Sequence, residues 1–428
     1  MSTQLAKARR GEITPAIQAA ARSEQVEPET VRAELAAGRA VLPANPAHEN
    51  LAPAVVGRRF RTKINANIGR SPERSNLAEE LRKLDVALVA GADFVMDLSV
   101  GDDLVALRTA MLEHCAVALG TVPIYEAQAR CGGTGANLDA DVLLSVIEEQ
   151  ARQGVDFMTL HAGLLREHVP LALRRVMGIA SRGGAILAEW MHAHKSQNPL
   201  YVRWDDILEI CHGHDVTVSL GDGLRPGCLA DASDEAQFAE LATLGELVRR
   251  SRARNVQVMV EGPGHIPFDQ IQMNMEKEQD VCDGAPFYVL GPVVTDVAPG
   301  YDHITSSIGA TAAAFHGASL LCYVTPAEHL GLPTEQEVRE GVVAYRIAAH
   351  AADVARGLAH ARDWDDQMAR ARMAFDWQRQ FQLAMDGPGA RARYEQTRSD
   401  VEPDHCSMCG REFCAVRTSK RLAEELEE

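Results

Sequence analysis

Lys63-Ile64-Asn65-Ala66-Asn67-Ile68-Gly69 opens a change of texture in a chain of 428 residues. An apolar run ends in Asn and Gly, and an amphipathic stretch, Asn76 to Ala90, follows it. A second run, Phe94 to Ser99, then closes on Asp and Ser. The alternation repeats. Val117 to Tyr125, Val155 to Gly163, Val216 to Gly223, Val256 to Gly264, Phe287 to Asp296 and Leu320 to Thr325 read as further strands. Helical patterns such as Asp139 to Gln153, Asp234 to Ala253 and Asp302 to Phe315 lie between them. Strands separated by helices at this spacing are parallel, because a parallel pair needs a long crossover. Eight runs predict the α/β class, as a (β/α)8 TIM-type barrel. A ninth short run, Gly178-Ile179-Ala180-Ser181, competes for one slot. A doubly wound open sheet is the alternative, but no G-x-G-x-x-G pattern follows any run.

The flanks read differently. Residues 1–60 form a small N-terminal arm with two helical patterns, Leu5 to Arg10 and Thr30 to Ala37. Pro43, Pro46 and Pro53 then mark an irregular segment. The barrel occupies residues 61–333. Residues 334–389 turn helical, from Glu335 to Gly357 and from Asp363 to Met385, with Gly387-Pro388-Gly389 as the close. Residues 390–428 form a charged tail that carries a cysteine motif.

Composition bounds the function. Hydrophobic residues make up 46% and charged residues 24%, ordinary for a soluble enzyme. A net charge of −17 argues against a nucleic-acid binder and leaves room for local basic pockets. No run approaches the ~18 apolar residues of a membrane span. Of nine cysteines, six are scattered through apolar segments, as reduced thiols are. The expected compartment is the cytoplasm.

The other three cysteines fall within nine residues, in His405-Cys406-Ser407-Met408-Cys409-Gly410-Arg411-Glu412-Phe413-Cys414. Thiolates this close can converge on one metal centre. Either His405 completes a three-cysteine, one-histidine zinc knuckle, or the thiolates hold a four-iron cluster with one iron open.

In a parallel barrel, polar residues at the carboxyl ends of the strands face the active-site mouth. Here those ends supply Asn67, Met96-Asp97, Tyr125-Glu126, His161, Ser181-Arg182-Gly183-Gly184 and Gly221-Asp222-Gly223-Leu224-Arg225. Glu261, His265, Tyr288 and Glu328-His329 complete the set. Arg182 and Arg225, beside glycine-rich turns, suit a phosphate monoester. His265 and His329 can meet as metal ligands, with His303 as a competitor for either role. Glu261 can orient a ligand or act as a general base.

Taken with the tail, these residues resemble the phosphomethylpyrimidine synthase family of the radical S-adenosylmethionine superfamily. The resemblance runs from about Leu42 to Cys414. It is carried by Asn65 to Gly69, Ser181 to Gly184, Gly221 to Gly227, Glu261 to His265, Ala298 to Thr305, Tyr323 to Pro333 and the cysteine motif. It implies a barrel that converts 5-aminoimidazole ribotide and S-adenosylmethionine to 4-amino-5-hydroxymethyl-2-methylpyrimidine phosphate in thiamin biosynthesis. Carbon monoxide, formate, 5′-deoxyadenosine and methionine are the implied co-products.

The implied ribotide contacts are Asn67, Met96, Tyr125, His161, Ser181, Arg182, Gly183, Asp222, Gly223, Leu224, Arg225, Glu261 and Tyr288. A divalent metal, zinc or iron, falls on His265 and His329. A [4Fe-4S] cluster falls on Cys406, Cys409 and Cys414, with His405 only a neighbour. A homodimer and an external electron donor are implied as well. Val100, Arg70 and Phe268 depart from the family pattern, and Val100, Met96 and Phe268 are expected near the ribose. A sister family makes 5-hydroxybenzimidazole from the same ribotide and is the alternative. A non-catalytic zinc-knuckle binding protein is the further one.

Overall fold

The computed structural model describes residues 2–71, 74–397, 405 and 408–427. The chain divides into two compact units, Met1–Asp353 and Val354–Glu428. In the first, eight parallel strands close into a barrel in chain order. They are β1 (Lys63–Ile68), β2 (Phe94–Asp97), β3 (Ala118–Thr121) and β4 (Phe157–Leu160), then β5 (Thr217–Leu220), β6 (Val258–Gly262), β7 (Phe287–Leu290) and β8 (Leu320–Cys322). β8 pairs with β1, Leu321 opposite Ile64, and completes the ring. Each is one of the eight runs predicted from sequence. They are buried almost throughout, because side chains meet the barrel interior on one face and the helices on the other. Phe94 and Phe157 meet edge to face at 5.9 Å in this core.

The crossover helices start where side chains can cap them. Asn76, Asp139 and Asp234 each accept backbone amides of the first turn of Leu77–Ala90, Ala140–Gln153 and Glu235–Ala253. Gly91 and Gly154, at φ 100 and 112, end the first two in the left-handed conformation that glycine adopts without strain. The ninth run is not a strand. Gly178 turns at φ 60, and Ser181 caps the helix Arg182–His194 by accepting the Gly184 amide.

Three helices build the N-terminal arm, not two: Gln4–Arg9, Pro15–Glu24 and Pro28–Ala36. The middle one escapes a reading that treats proline as a break. Pro15 stands at the start, where its missing N–H costs nothing, and Thr14 caps the turn. The arm is tied to the amino ends of the strands. His48 Nδ1 lies 2.7 Å from Asp156 Oδ2, one residue before β4, and Asn45 Nδ2 donates to Val155 O. The opposite mouth is thereby left to the strand carboxyl ends.

The long helix Glu335–Ala355 runs nearly as predicted. The expected helix from Asp363 to Met385 is two, Ala361–Ala374 and Trp377–Leu383. Phe375 at φ 56 breaks it, and Trp364 Nε1 donates to Leu383 O across the fold-back. Gly387-Pro388-Gly389 opens the helix Gly387–Thr397 where a close was expected, proline being tolerated in a first turn. Gly410–Phe413 and Ala415–Glu427 follow. Among the described residues, no helix is long and apolar enough to cross a membrane.

Candidate functional site

At the carboxyl ends of the strands, Asn67, Met96, Tyr125, His161, Asp222, Arg225, Glu261 and Tyr288 line one cavity. The pairing register makes neighbours of them: Asn67 stands opposite Met96, and Glu261 opposite Tyr288. Arg182 sits 4.8 Å over the Tyr125 ring and lines an adjoining groove with Asn67, Arg70, Lys83, Val100 and Tyr323. Four expected contacts line neither cavity nor groove. Ser181 is the cap described above. A Cβ on Gly183 would come within 2.3 Å of the His161 ring, so this glycine lets the helix lie against the imidazole. Gly223 packs as tightly against Gly184, and Leu224 is wholly buried. Phe268, expected near the ribose, is 59% exposed and lines neither cavity nor groove.

A lower layer holds the lining in place. Asn65 Nδ2 donates to Asn67 Oδ1 and to the Tyr288 hydroxyl, both at 2.7 Å. The Tyr323 hydroxyl donates to Asn67 O, and Tyr288 OH reaches Met96 Sδ at 3.4 Å. Glu261 Oε1 accepts from Thr159 Oγ1 at 2.7 Å and from Ser219 Oγ at 3.4 Å. Sequence reasoning passed over these residues, yet a signal existed. Asn65 and Thr159 precede strand-end residues Asn67 and His161 by two, and side chains two apart share a face.

Burial dominates the electrostatics. It pushes the carboxyls of Asp222 and Glu261 up, against the opposing pull of Arg225. Arg225 Nη1 donates to Asp222 Oδ1 at 3.0 Å. Burial, with Arg225 nearby, pushes His161 down to about 3, so its imidazole is neutral at physiological pH. His161 Nδ1 is buried with no hydrogen-bond partner among the described residues, on the side of the ring that packs against Gly183.

The rings of His265 and His329 lie 5.3 Å apart at 59°. His265 Nδ1 is 2.9 Å from Asp296 Oδ1, and His329 Nδ1 is 2.8 Å from Asp302 Oδ1. Carboxylates that hold Nδ1–H leave each Nε2 to ligate, the usual outer-shell arrangement of a metal-binding histidine. Asp296 and Asp302 were not singled out from sequence, because only the closed barrel brings them to these rings. His303, the competitor, keeps a buried Nδ1 with no partner among the described residues and is not part of this pair. Among the described residues, no group of three or more His, Cys, Asp or Glu side chains can hold a metal.

In the second unit, Cys409 and Cys414 flank the single turn Gly410–Phe413, both as free thiols. Cys406 lies outside the described residues. The donor set suits a thiophilic iron centre: three cysteines in one short segment, with neither described thiol in a disulfide.

Residues 3–421 match the family described as the Radical SAM ThiC family. The phosphomethylpyrimidine synthase of Natronomonas pharaonis is 59% identical over 427 residues, 99% of this chain and 89% of that protein. Those of Halobacterium salinarum and Haloarcula marismortui are 58% and 57% identical, over 97% of this chain and 88% and 87% of theirs. Among solved structures, the dihydropteroate synthase of Yersinia pestis is similar at 14% identity and a TM-score of 0.43, over 71% of this chain and 96% of that one. That of Thermus thermophilus is similar at 14% and 0.40, over 69% and 94%.

Proposed function

The chain belongs to the Radical SAM ThiC family, and we propose, accordingly, that it carries out the phosphomethylpyrimidine synthase reaction. It takes 5-aminoimidazole ribotide and S-adenosylmethionine to 4-amino-5-hydroxymethyl-2-methylpyrimidine phosphate, the pyrimidine of thiamin. The observation that carries this reading is the shared cavity of Asn67, Met96, Tyr125, His161, Asp222, Arg225, Glu261 and Tyr288, in a chain matched over residues 3–421.

On this reading the ribotide occupies that cavity. Arg225 and Arg182 meet the phosphate as charge-assisted donors, and Asn67 and Tyr288 fix the ring, themselves held by Asn65. His161, held neutral by its burial, lines the cavity without adding a charge. Glu261, oriented by Thr159 and Ser219, holds the polar edge of the substrate or takes a proton from it. The buried walls exclude water from a reactive intermediate.

Cys406, Cys409 and Cys414 hold the [4Fe-4S] cluster. The chemistry supplied there, once the cluster is bound, is one-electron reductive cleavage of the S-adenosylmethionine sulfonium. His265 and His329 hold one divalent metal, zinc or iron, with Asp296 and Asp302 behind them. The protein works as a cytoplasmic homodimer with an external electron donor.

Relatives at 57–59% identity that are phosphomethylpyrimidine synthases weigh against the hydroxybenzimidazole product and against a zinc-knuckle protein. The test is mass spectrometry of an anaerobic reaction of the cluster-reconstituted protein with ribotide, S-adenosylmethionine and a strong reductant. A phosphorylated pyrimidine is expected; a hydroxybenzimidazole, or no turnover by a protein that carries its iron, overturns the assignment.

A further inference from the structure

The two histidines of the pair are held in different ways. Asp302 Oδ1 takes the His329 ring, and its Oδ2 accepts the amide of Gly300, two residues back in the same loop. Asp296 Oδ1 takes the His265 ring, but its Oδ2 accepts the Leu229 amide at 2.9 Å, from the loop that follows β5. A carboxylate only accepts, so Asp296 is gripped by one donor from each side. It links a candidate metal ligand to the loop that bears Asp222 and Arg225.

The histidine end of this link is fixed. Val293 N donates to Gly264 O and Ile266 N donates to Val293 O, which zips the segment after β7 to the residues on either side of His265. The loop end passes the constraint on. Leu229–Asp231 is a single turn, and Asp231, 3% exposed, accepts the amides of Val176 and Met177 at 2.8 and 2.9 Å. A Cβ on Gly227 would stand 2.6 Å from the Ala180 Cβ, and Arg175 Nη1 donates to Arg225 O at 3.4 Å. Residues 175–181 lead straight into Arg182. Both arginines proposed for the phosphate are thus carried by segments strapped to one another, and Asp296 attaches them to His265.

We propose that Asp296 is a positioning residue through which a metal on His265 steadies the loop of Arg225, and with it the ribotide site. The Asp296 side chain keeps 37% of its surface exposed, so both of its bonds compete with water while no metal fixes the ring. A cation on the imidazole draws charge from the ring and makes Nδ1–H a stronger donor, which holds Asp296, and hence Leu229, in place. Linkage makes the effect mutual, since metal and ribotide must raise each other's affinity by the same factor.

The proposal rests on the metal and ribotide readings above, and its first readout needs no ribotide. Hydrogen exchange is followed in the full-length protein carrying its cluster, with zinc as the probe. The double variant His265→Ala/His329→Ala records the effect of zinc bound elsewhere. Zinc should slow amide exchange across residues 225–232 about fivefold or more in wild type and leave the double variant unchanged. Calorimetry is the second readout: ribotide should tighten zinc binding about fivefold or more, and zinc should tighten ribotide binding equally.

Two variants cut the link at different ends. Leu229→Pro removes the N–H that Asp296 accepts, at the first position of a turn and after an extended Cys228, where proline is tolerated. Its zinc affinity without ribotide should stay within about threefold of wild type, while loop protection and the mutual factor disappear. Asp296→Asn has one acceptor oxygen for two donors, so it should lose both effects and also bind zinc about tenfold more weakly. Zinc that binds the wild-type pair without slowing the loop, or coupling that survives in either variant, overturns the proposal. No zinc at the pair overturns it together with the metal reading. Loop protection that both variants abolish, in a protein that binds no ribotide, supports the link and sinks only the function proposed for the cavity.

Discussion

Asp215 ends the helix Trp204–His214 in the left-handed conformation, at φ 54, and its Oδ2 accepts the Gln4 amide at 2.8 Å. Burial pushes this carboxyl up from 3.8 to about 6. Between those values the folded chain binds more protons than the unfolded one, so this contribution is fullest near pH 4 and is lost as pH rises to about 6. At pH 7 the penalty is at most ~3 kcal/mol, because each tenfold change in proton affinity is worth about 1.4 kcal/mol. Asn fits the left-handed backbone and still accepts the Gln4 amide, so Asp215→Asn removes the titration and keeps the contact. The expected outcome is a Tm above wild type at pH 7, with a gap that closes on acidification to pH 4. Thermal melts across that range check it; a gap independent of pH would mean that Asp215 is not the titrating group.

Elements show where sequence is informative and where it is not. The eight strands were legible because a buried parallel strand needs a continuous apolar run, and each run here is closed by a turn or polar residue. Helix starts were legible to within a residue at Asn76, Asp139 and Asp234, whose side chains do the capping. The break at Phe375 was not, because no residue there demands it; a non-glycine left-handed residue is imposed by packing such as that of Trp364.

The site divides the same way. Strand ends announce Asn67, His161 and Glu261, whereas Asp296 and Asp302 gain meaning only when the fold brings other elements against them. Gly178 to Ser181 belongs to both cases, since an apolar run that looked like a strand is the approach to a capped helix. Ser181→Ala should therefore act on the helix Arg182–His194 and not on the sheet, at a cost of about 1 kcal/mol. Chemical denaturation should show the midpoint falling with an unchanged slope. Asparagine at 181, also a good cap, should restore most of the loss, and failure of that rescue would count against the capping role.

At the level of the whole chain, the residues proposed for ribotide and for the cluster fall on separate compact units: the cavity in Met1–Asp353, Cys409 and Cys414 in Val354–Glu428. Substrate binding and turnover should therefore come apart on mutation. Cys409→Ser and Cys414→Ser should each strip the tail of cluster iron, read by iron analysis and visible absorbance, and turnover should fall by about a thousandfold or more. Ribotide Kd should stay within about twofold and the main thermal transition should not move, because no group that lines the cavity is touched. A structural metal behaves differently, since its binding energy is folding energy and loss of one ligand unfolds what it holds. Iron and turnover retained in both serine variants would remove the cluster from these residues. Iron lost together with ribotide binding and the thermal transition would make the thiols structural.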